Sequence, residues 1–303
     1  MKCEPYNYPY CEFDFFEWNP VQSKCLQFFD EDCNLVVSSS TASGKTVIAE
    51  AIMGYELSRD ERSKAVYVSP LKAIGVEKHS RWMNHSTFGK YAQVVLSSDS
   101  NVKQSDVEQS RLVISTVESM DLKCRSRERW IADVKVLVFD EAHLIGDGSR
   151  GAAGEAMVMG MTSLNPGCRV VCLSGTMSNY MEMAKWLKAC NGKATRFVNS
   201  NWRPSELVKA VECYADIDDE RDKIKREARE IHDQGRKMLI FVHSKQSGEM
   251  ICKYLREYGV PCAFYNAGLR PGDKENMLMD FRSSYSGLDV LVCTSALGMG
   301  VDI

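Results

Sequence analysis

Leu35-Val36-Val37-Ser38-Ser39-Ser40-Thr41-Ala42-Ser43-Gly44-Lys45-Thr46-Val47 is the stretch on which the fold of this chain turns. A short apolar run passes through small polar residues into a Gly-Lys-Thr tripeptide, and an apolar, helix-compatible segment follows. The order is strand, loop, helix. Such a loop can aim its N–H groups at phosphate oxygens, the helix N-terminus adds positive potential, and a lysine brings a mobile point charge. Lys45 is therefore expected at the β- and γ-phosphates of a nucleotide and Thr46 at Mg2+, with Ser40, Thr41, Ala42, Ser43 and Gly44 forming the cradle. Ser39 stands where such loops usually have their first glycine. Taken alone, Gly-Lys-Thr is equally compatible with a plain turn opening a helix.

A second stretch decides between those readings. Val136-Leu137-Val138-Phe139 is an apolar strand that delivers Asp140 and Glu141 at its C-terminal end, where α/β sheets bind their ligands. Asp140 is placed to coordinate Mg2+, and Glu141 to orient or deprotonate an attacking water, a division of labour that phosphoryl transfer requires.

Outward from these two points, short runs rich in Val, Ile and Leu recur between helical segments, the pattern of parallel sheets covered on both faces. Strands are expected at 35–37, 65–68, 93–96, 112–115, 134–139 and 169–174, then again at 238–242, 262–265 and 290–294. The alternation pauses near Asn201-Trp202-Arg203-Pro204, and the charged segment after it keeps Ile217, Ile224, Ala228 and Ile231 at roughly helical spacing. The expected architecture is α/β, with two tandem domains, 1–204 and 205–303. The second stops after a strand and a glycine-rich turn, where a doubly wound domain would continue, so it is expected to be incomplete at its C-terminus. Trp202 and Arg203 suit either packing at the junction or a hinge.

Composition narrows the classes. The 303 residues are 44% hydrophobic, enough for two cores, and 38 Lys plus Arg against 41 Asp plus Glu give a net charge of -3. That balance argues against simple electrostatic coating of nucleic acid, but not against a grip through backbone amides and a few placed side chains. The 12 cysteines lie mostly within apolar runs without a C-x-x-C pair, which points to reduced thiols inside a cell. Cys168 and Cys172 read as residues of a buried strand rather than metal ligands. No segment is long and apolar enough for a membrane span.

Asp140-Glu141-Ala142-His143 is a D-E-A-H box, and with its neighbours the chain resembles a superfamily 2 helicase core with two RecA-like domains, over nearly its whole length. Asn19-Pro20-Val21-Gln22 resembles the Q motif. Ser69-Pro70-Leu71-Lys72-Ala73 and Ser115-Thr116-Val117-Glu118 resemble strand-contacting motifs, and Ser174-Gly175-Thr176 stands where the family has S-A-T. Phe241-Val242-His243-Ser244, Tyr265-Asn266-Ala267-Gly268-Leu269 and the run from Thr294 to Asp302 resemble the later motifs, in family order. Leu71-Lys72-Ala73-Ile74 with Glu77-Lys78, Arg150-Gly151 and Asn201-Trp202-Arg203-Pro204 make it most similar to the Ski-like group, which holds archaeal fork-repair helicases and the helicase domain of DNA polymerase theta.

The resemblance implies an ATP-dependent helicase that uses ATP and Mg2+, acts on single-stranded nucleic acid next to a duplex, DNA in preference to RNA, and moves 3' to 5'. An RNA helicase of the same group and an ATP-binding switch that does not unwind are the alternatives. It implies that Gln22 reads adenine, that Gly300 and Asp302 complete the nucleotide site, and that Lys45, Asp140, Glu141 and His143 are catalytic. His143 would link Glu141 to Ser174, Gly175 and Thr176, which couple the domains. Pro70, Lys72, Thr116 and Glu118 would contact the strand from the first domain, and His243, Ser244, Asn266, Gly268 and Thr294 from the second. Ser97-Ser98-Asp99 departs from the usual T-G-D, which leaves that strand contact open. The family's arginine motif Q-x-x-G-R-x-G-R would lie past Ile303, so weak hydrolysis by these residues alone is expected. A monomer is the expected state.

Overall fold

The computed structural model describes residues 4–97, 102–146, 148–294 and 297. Two compact units are present, Met1–Glu206 and Leu207–Ile303.

The first unit is a parallel sheet with helices on both faces. In chain order it runs α1 (Pro20–Cys25), β1 (Asn34–Ser39), α2 (Lys45–Arg59), β2 (Lys64–Ser69), α3 (Lys72–Met83), β3 (Gln93–Leu96), α4 (Gln104–Gln109), β4 (Leu112–Thr116), α5 (Val117–Arg125), β5 (Val134–Phe139), α6 (Gly148–Leu164), β6 (Arg169–Ser174), α7 (Tyr180–Asn191) and β7 (Thr195–Ser200). Strand order is β3-β4-β2-β5-β6-β1-β7, every pair parallel. Because side chains alternate across a strand, Val36, Leu137 and Phe139 enter one core, with Met120, Met157, Met161 and Leu187 of α5, α6 and α7. Leu35, Val37, Val136 and Val138 enter the other, with Ile48, Ile52 and Leu57 of α2 and Trp82 of α3. Tyr8 and Phe13, with Phe29 after α1, enter the second core, so the segment before α1 is part of the domain.

Two local expectations shift. Edge strand β7 was not expected, because Thr195–Ser200 buries only Val198 and Ser200 and carries no apolar run. In the sequence Met157, Met159 and Met161 read together as core filler, but only Met157 and Met161 are buried and Met159 is 55% exposed. Residues two apart on a helix point to different faces. Gly151 follows from a close approach, since a Cβ there would collide with the Ile145 carbonyl oxygen.

The second unit comprises α8 (Ile217–Asp233), β8 (Met238–Phe241), α9 (Lys245–Glu257), β9 (Cys262–Tyr265), α10 (Pro271–Arg282) and β10 (Val290–Cys293), with strand order β8-β10-β9, all parallel. Helix α8 begins at Asp216, whose carboxylate accepts from the Asp218 and Asp219 N–H groups, and it buries Ala228 on the sheet while its charged face stays in solvent. Among the described residues, no helix is long and apolar enough to cross a membrane.

Candidate functional site

Strands β1, β6 and β5 lie side by side, so the loop after β1, the Ser174-Gly175-Thr176 turn after β6 and the Asp140–His143 box after β5 emerge together at the carboxyl edge of the sheet. Within the loop, Gly44 takes φ +75° as the N-cap of α2, and Ala42 takes φ +61°. Ser39, in place of a glycine, is buried with its hydroxyl 2.7 Å from that of Ser43. Lys45 folds back on the loop, its ammonium donating to the carbonyls of Ser39 (3.2 Å) and Ser40 (3.0 Å). Burial pulls it below the ordinary lysine range and nearby Arg203 adds to that, while Glu141 and Asp140 oppose it. Both carboxylates are thus within electrostatic reach of the ammonium.

Helix α1 braces the loop from the other side. Asn19 caps α1, accepting from the Val21 and Gln22 N–H groups, and its own amide donates to the Ser43 carbonyl at 2.9 Å. Gln22 accepts from the Asn19 N–H through Oε1 and donates to the Gly44 carbonyl through Nε2. One N–H and one oxygen lone pair of its carboxamide remain for another partner. The N-x-x-Q spacing is itself a capping-box signature, so the part played by Asn19 was legible. The Ser40 hydroxyl donates to the Trp202 carbonyl, which brings the Asn201-Trp202-Arg203-Pro204 segment against the loop, a placement that nothing in the sequence indicates.

Glu141 sits at φ +51°, a left-handed conformation uncommon for a residue with a side chain. Burial, then the charge of Asp140, raises its carboxyl above the ordinary carboxylate range, and Lys45, His143 and a backbone hydrogen bond at Gly175 act the other way. His143 Nδ1 lies 3.3 Å from Glu141 Oε2 and 3.2 Å from Ser174 Oγ. A Cβ on Gly175 would meet only the His143 ring, at 3.8 Å, so the alanine usual there would fit. Asp140 accepts the Glu141 N–H on Oδ1 (2.9 Å) and the Tyr67 hydroxyl on Oδ2 (2.5 Å).

The oxygen set suits Mg2+. One hydroxyl and one carboxylate, completed by phosphate oxygens and water, is how that cation is commonly held. Thr46 Oγ1 already faces a positive charge, the Lys78 ammonium at 3.3 Å. Among the described residues no group of three or more His, Cys, Asp or Glu could hold a metal ion.

The expected strand-contacting residues of the first unit fall at the carboxyl edge of its sheet. Ser69 and Thr116 are in register on adjacent strands, so Pro70 and Lys72 leave β2 beside Thr116 and Glu118 after β4. Pro70 is buried, Lys72 and Glu118 are exposed, and Thr116 caps α5. In the second unit, Phe241 and Tyr265 are both in register with Cys293, so His243 and Ser244, Asn266 and Gly268, and Thr294 leave three strands at one level. Ser244 caps α9 and Asn266 Oδ1 accepts the Gly268 N–H. Gly300, Asp302, Ser98 and Asp99 lie outside the described residues.

Residues 19–184 match the DEAD/DEAH box helicase family, and residues 219–303 match the helicase conserved C-terminal domain. The chain is similar to the ATP-dependent DNA helicase Hel308 of three archaea. It is 33% identical to that of Methanocaldococcus jannaschii over 207 residues, covering 66% of this chain and 16% of the relative. For Pyrococcus abyssi the figures are 37% over 178 residues, 59% and 23%. For Methanocella arvoryzae they are 26% over 361 residues, 100% and 47%. The chain thus spans less than half the length of these relatives. In fold it resembles the DUF1998 helicase MrfA bound to DNA, with TM-score 0.76 and 19% identity over 95% of this chain and 44% of that one.

Proposed function

The chain belongs to the DEAD/DEAH box helicases, in the Ski-like group of superfamily 2, and from that premise we propose that it is the ATP-hydrolysing motor of a DNA helicase that moves 3' to 5' and separates strands. The observation that carries the ATPase reading is the convergence of Lys45, Asp140 and Glu141 at the ends of β1 and β5, with His143 between Glu141 and Ser174.

The loop from Ser40 to Thr46 cradles the phosphates through its N–H groups. Lys45 leaves the Ser39 and Ser40 carbonyls for the β- and γ-phosphates, exchanging two neutral acceptors for anionic oxygens. Thr46 and Asp140 would hold Mg2+, which when bound would neutralise charge building on the phosphate oxygens. Glu141 orients the attacking water and accepts its proton, and its raised pKa brings it nearer the operating pH of a general base. His143 passes the state of Glu141 to Ser174, Gly175 and Thr176. Gln22, with Gly300 and Asp302, completes the nucleotide site.

The domain organisation we propose is an ATP-binding first domain, 1–204, and a second RecA-like domain from 205 onward. Pro70, Lys72, Thr116 and Glu118 of the first, and His243, Ser244, Asn266, Gly268 and Thr294 of the second, bind the strand, chiefly along its backbone, so sequence preference is weak. The names of the relatives favour DNA over RNA.

Strand separation on a 3'-tailed DNA duplex tests the reading. Lys45→Ala should cost about a hundredfold or more in hydrolysis and abolish unwinding. Unwinding that persists in that variant refutes the motor, and preference for a tailed RNA duplex refutes the substrate.

A further inference from the structure

Asp140 is held by β2 at two points. Its N–H donates to the Val68 carbonyl at 2.9 Å, and its Oδ2 accepts from the hydroxyl of Tyr67, the residue just before. With the Glu141 N–H on Oδ1, both carboxylate oxygens are engaged and the plane of the group is fixed. Each oxygen keeps a further lone pair for a cation. Tyr67 cannot easily swing away. It is fully buried, and its ring meets Trp82 edge to face with centroids 5.0 Å apart. Trp82 Nε1 in turn donates to Glu50 at 2.8 Å.

The Tyr67 hydroxyl stands two residues before the end of β2 at Ser69, from which the chain turns into Pro70-Leu71-Lys72. Packing alone does not account for it, since a phenylalanine would fill the same space beside Trp82.

Resting on the ATPase reading above, we propose that Tyr67 is a positioning residue for the metal-binding carboxylate, and that β2 links the segment at Pro70 and Lys72 to the nucleotide site through it. The hydrogen bond orients Oδ2, and a shift of β2 on strand binding is delivered to Asp140 through two contacts rather than one. Carboxylates that bind metals are commonly oriented by such outer partners, whose loss weakens binding about 10- to 100-fold.

Tyr67→Phe keeps the ring and removes only the hydroxyl. Mn2+ binding, followed by electron paramagnetic resonance with the non-hydrolysable ATP analogue present, should weaken about tenfold, while analogue binding without metal stays unchanged. Excess Mg2+ should restore hydrolysis at saturating ATP, which it would not do for a folding defect, and the stimulation by single-stranded DNA should fall. Unchanged Mn2+ affinity in Tyr67→Phe overturns the proposal, as does a defect that excess Mg2+ leaves in place. If the unaltered chain binds no Mn2+ with the analogue, the nucleotide-site reading fails and this inference goes with it.

Discussion

Removing Arg169 should unfold the first unit more readily than any exposed substitution, and the size of the effect can be worked from its surroundings. Its side chain is fully buried, its guanidinium donates to the carbonyls of Phe29 (3.0 Å) and Phe28, and Nη1 lies 3.6 Å from Oε1 of buried Glu56. Arg169→Met fills much of the volume but strands a carboxylate and two carbonyls. Breaking a buried pair from one side costs about 3–5 kcal/mol, a large part of the roughly 5–15 kcal/mol that holds a domain together. Burial already raises the Glu56 carboxyl, and the charges of Arg169 and then Arg59 oppose that rise. A carboxyl raised in the folded state adds stability at low pH that is lost as pH climbs through its folded pKa. Deleting Arg169 raises that folded pKa further, so the variant should lose more stability at high pH than at low pH, with the gap narrowing by up to about 1.4 kcal/mol per pH unit as the pH falls. In Arg169→Met with Glu56→Leu, the stranded charge is gone, and what is lost is the partner of two carbonyls, about 1–3 kcal/mol, and that of exposed Arg59, at most about 1 kcal/mol. All 5 tryptophans fall in the first unit, so urea unfolding followed by tryptophan fluorescence reports that unit alone. A single variant costing under about 1 kcal/mol, or a double variant less stable than the single, refutes the reasoning.

Gly44→Ala should abolish nucleotide binding without unfolding the unit. At φ +75° an alanine is strained, and its Cβ would collide with Gln22 Nε2, so equilibrium binding of a fluorescent ATP analogue should fall at least about tenfold, with normal unfolding as the control. The acid limb of the hydrolysis rate should lie above the ordinary carboxylate range, because the rate falls as Glu141 takes up a proton and burial raises its pKa. His143→Ala, which removes one influence holding that pKa down, should move the limb to higher pH, and a limb that stays put or moves to lower pH would rule Glu141 out as the titrating base.

Much of the candidate site was legible because the chemistry it would need is local in sequence. A phosphate cradle needs consecutive N–H groups at one helix start, and Ser40 to Thr46 supplies them in one run. Two adjacent carboxylates need only a strand to deliver them, and Val136 to Phe139 is one. The apolar runs 65–68, 134–139 and 169–174 marked β2, β5 and β6 because a strand buried on both faces has no polar side. Edge strand β7 escaped notice for the converse reason.

What only the tertiary structure decided is which distant residues meet. The sequence gives no reason for Tyr67 to reach Asp140, for Lys78 to stand over Thr46, or for Trp202 to receive a hydrogen bond from Ser40. The first and last of those meetings follow from strand order, which places β2 beside β5 and β1 beside both β6 and β7, and the second from α3 lying against α2. Arg169 is the clearest case. It opens an apolar strand where a charge looks like a solvent-facing end, and only the fold shows the carboxylate and carbonyls that make its burial tolerable. Local patterning determined the elements and the Asp140–His143 box; long-range packing determined the partners that hold them in place.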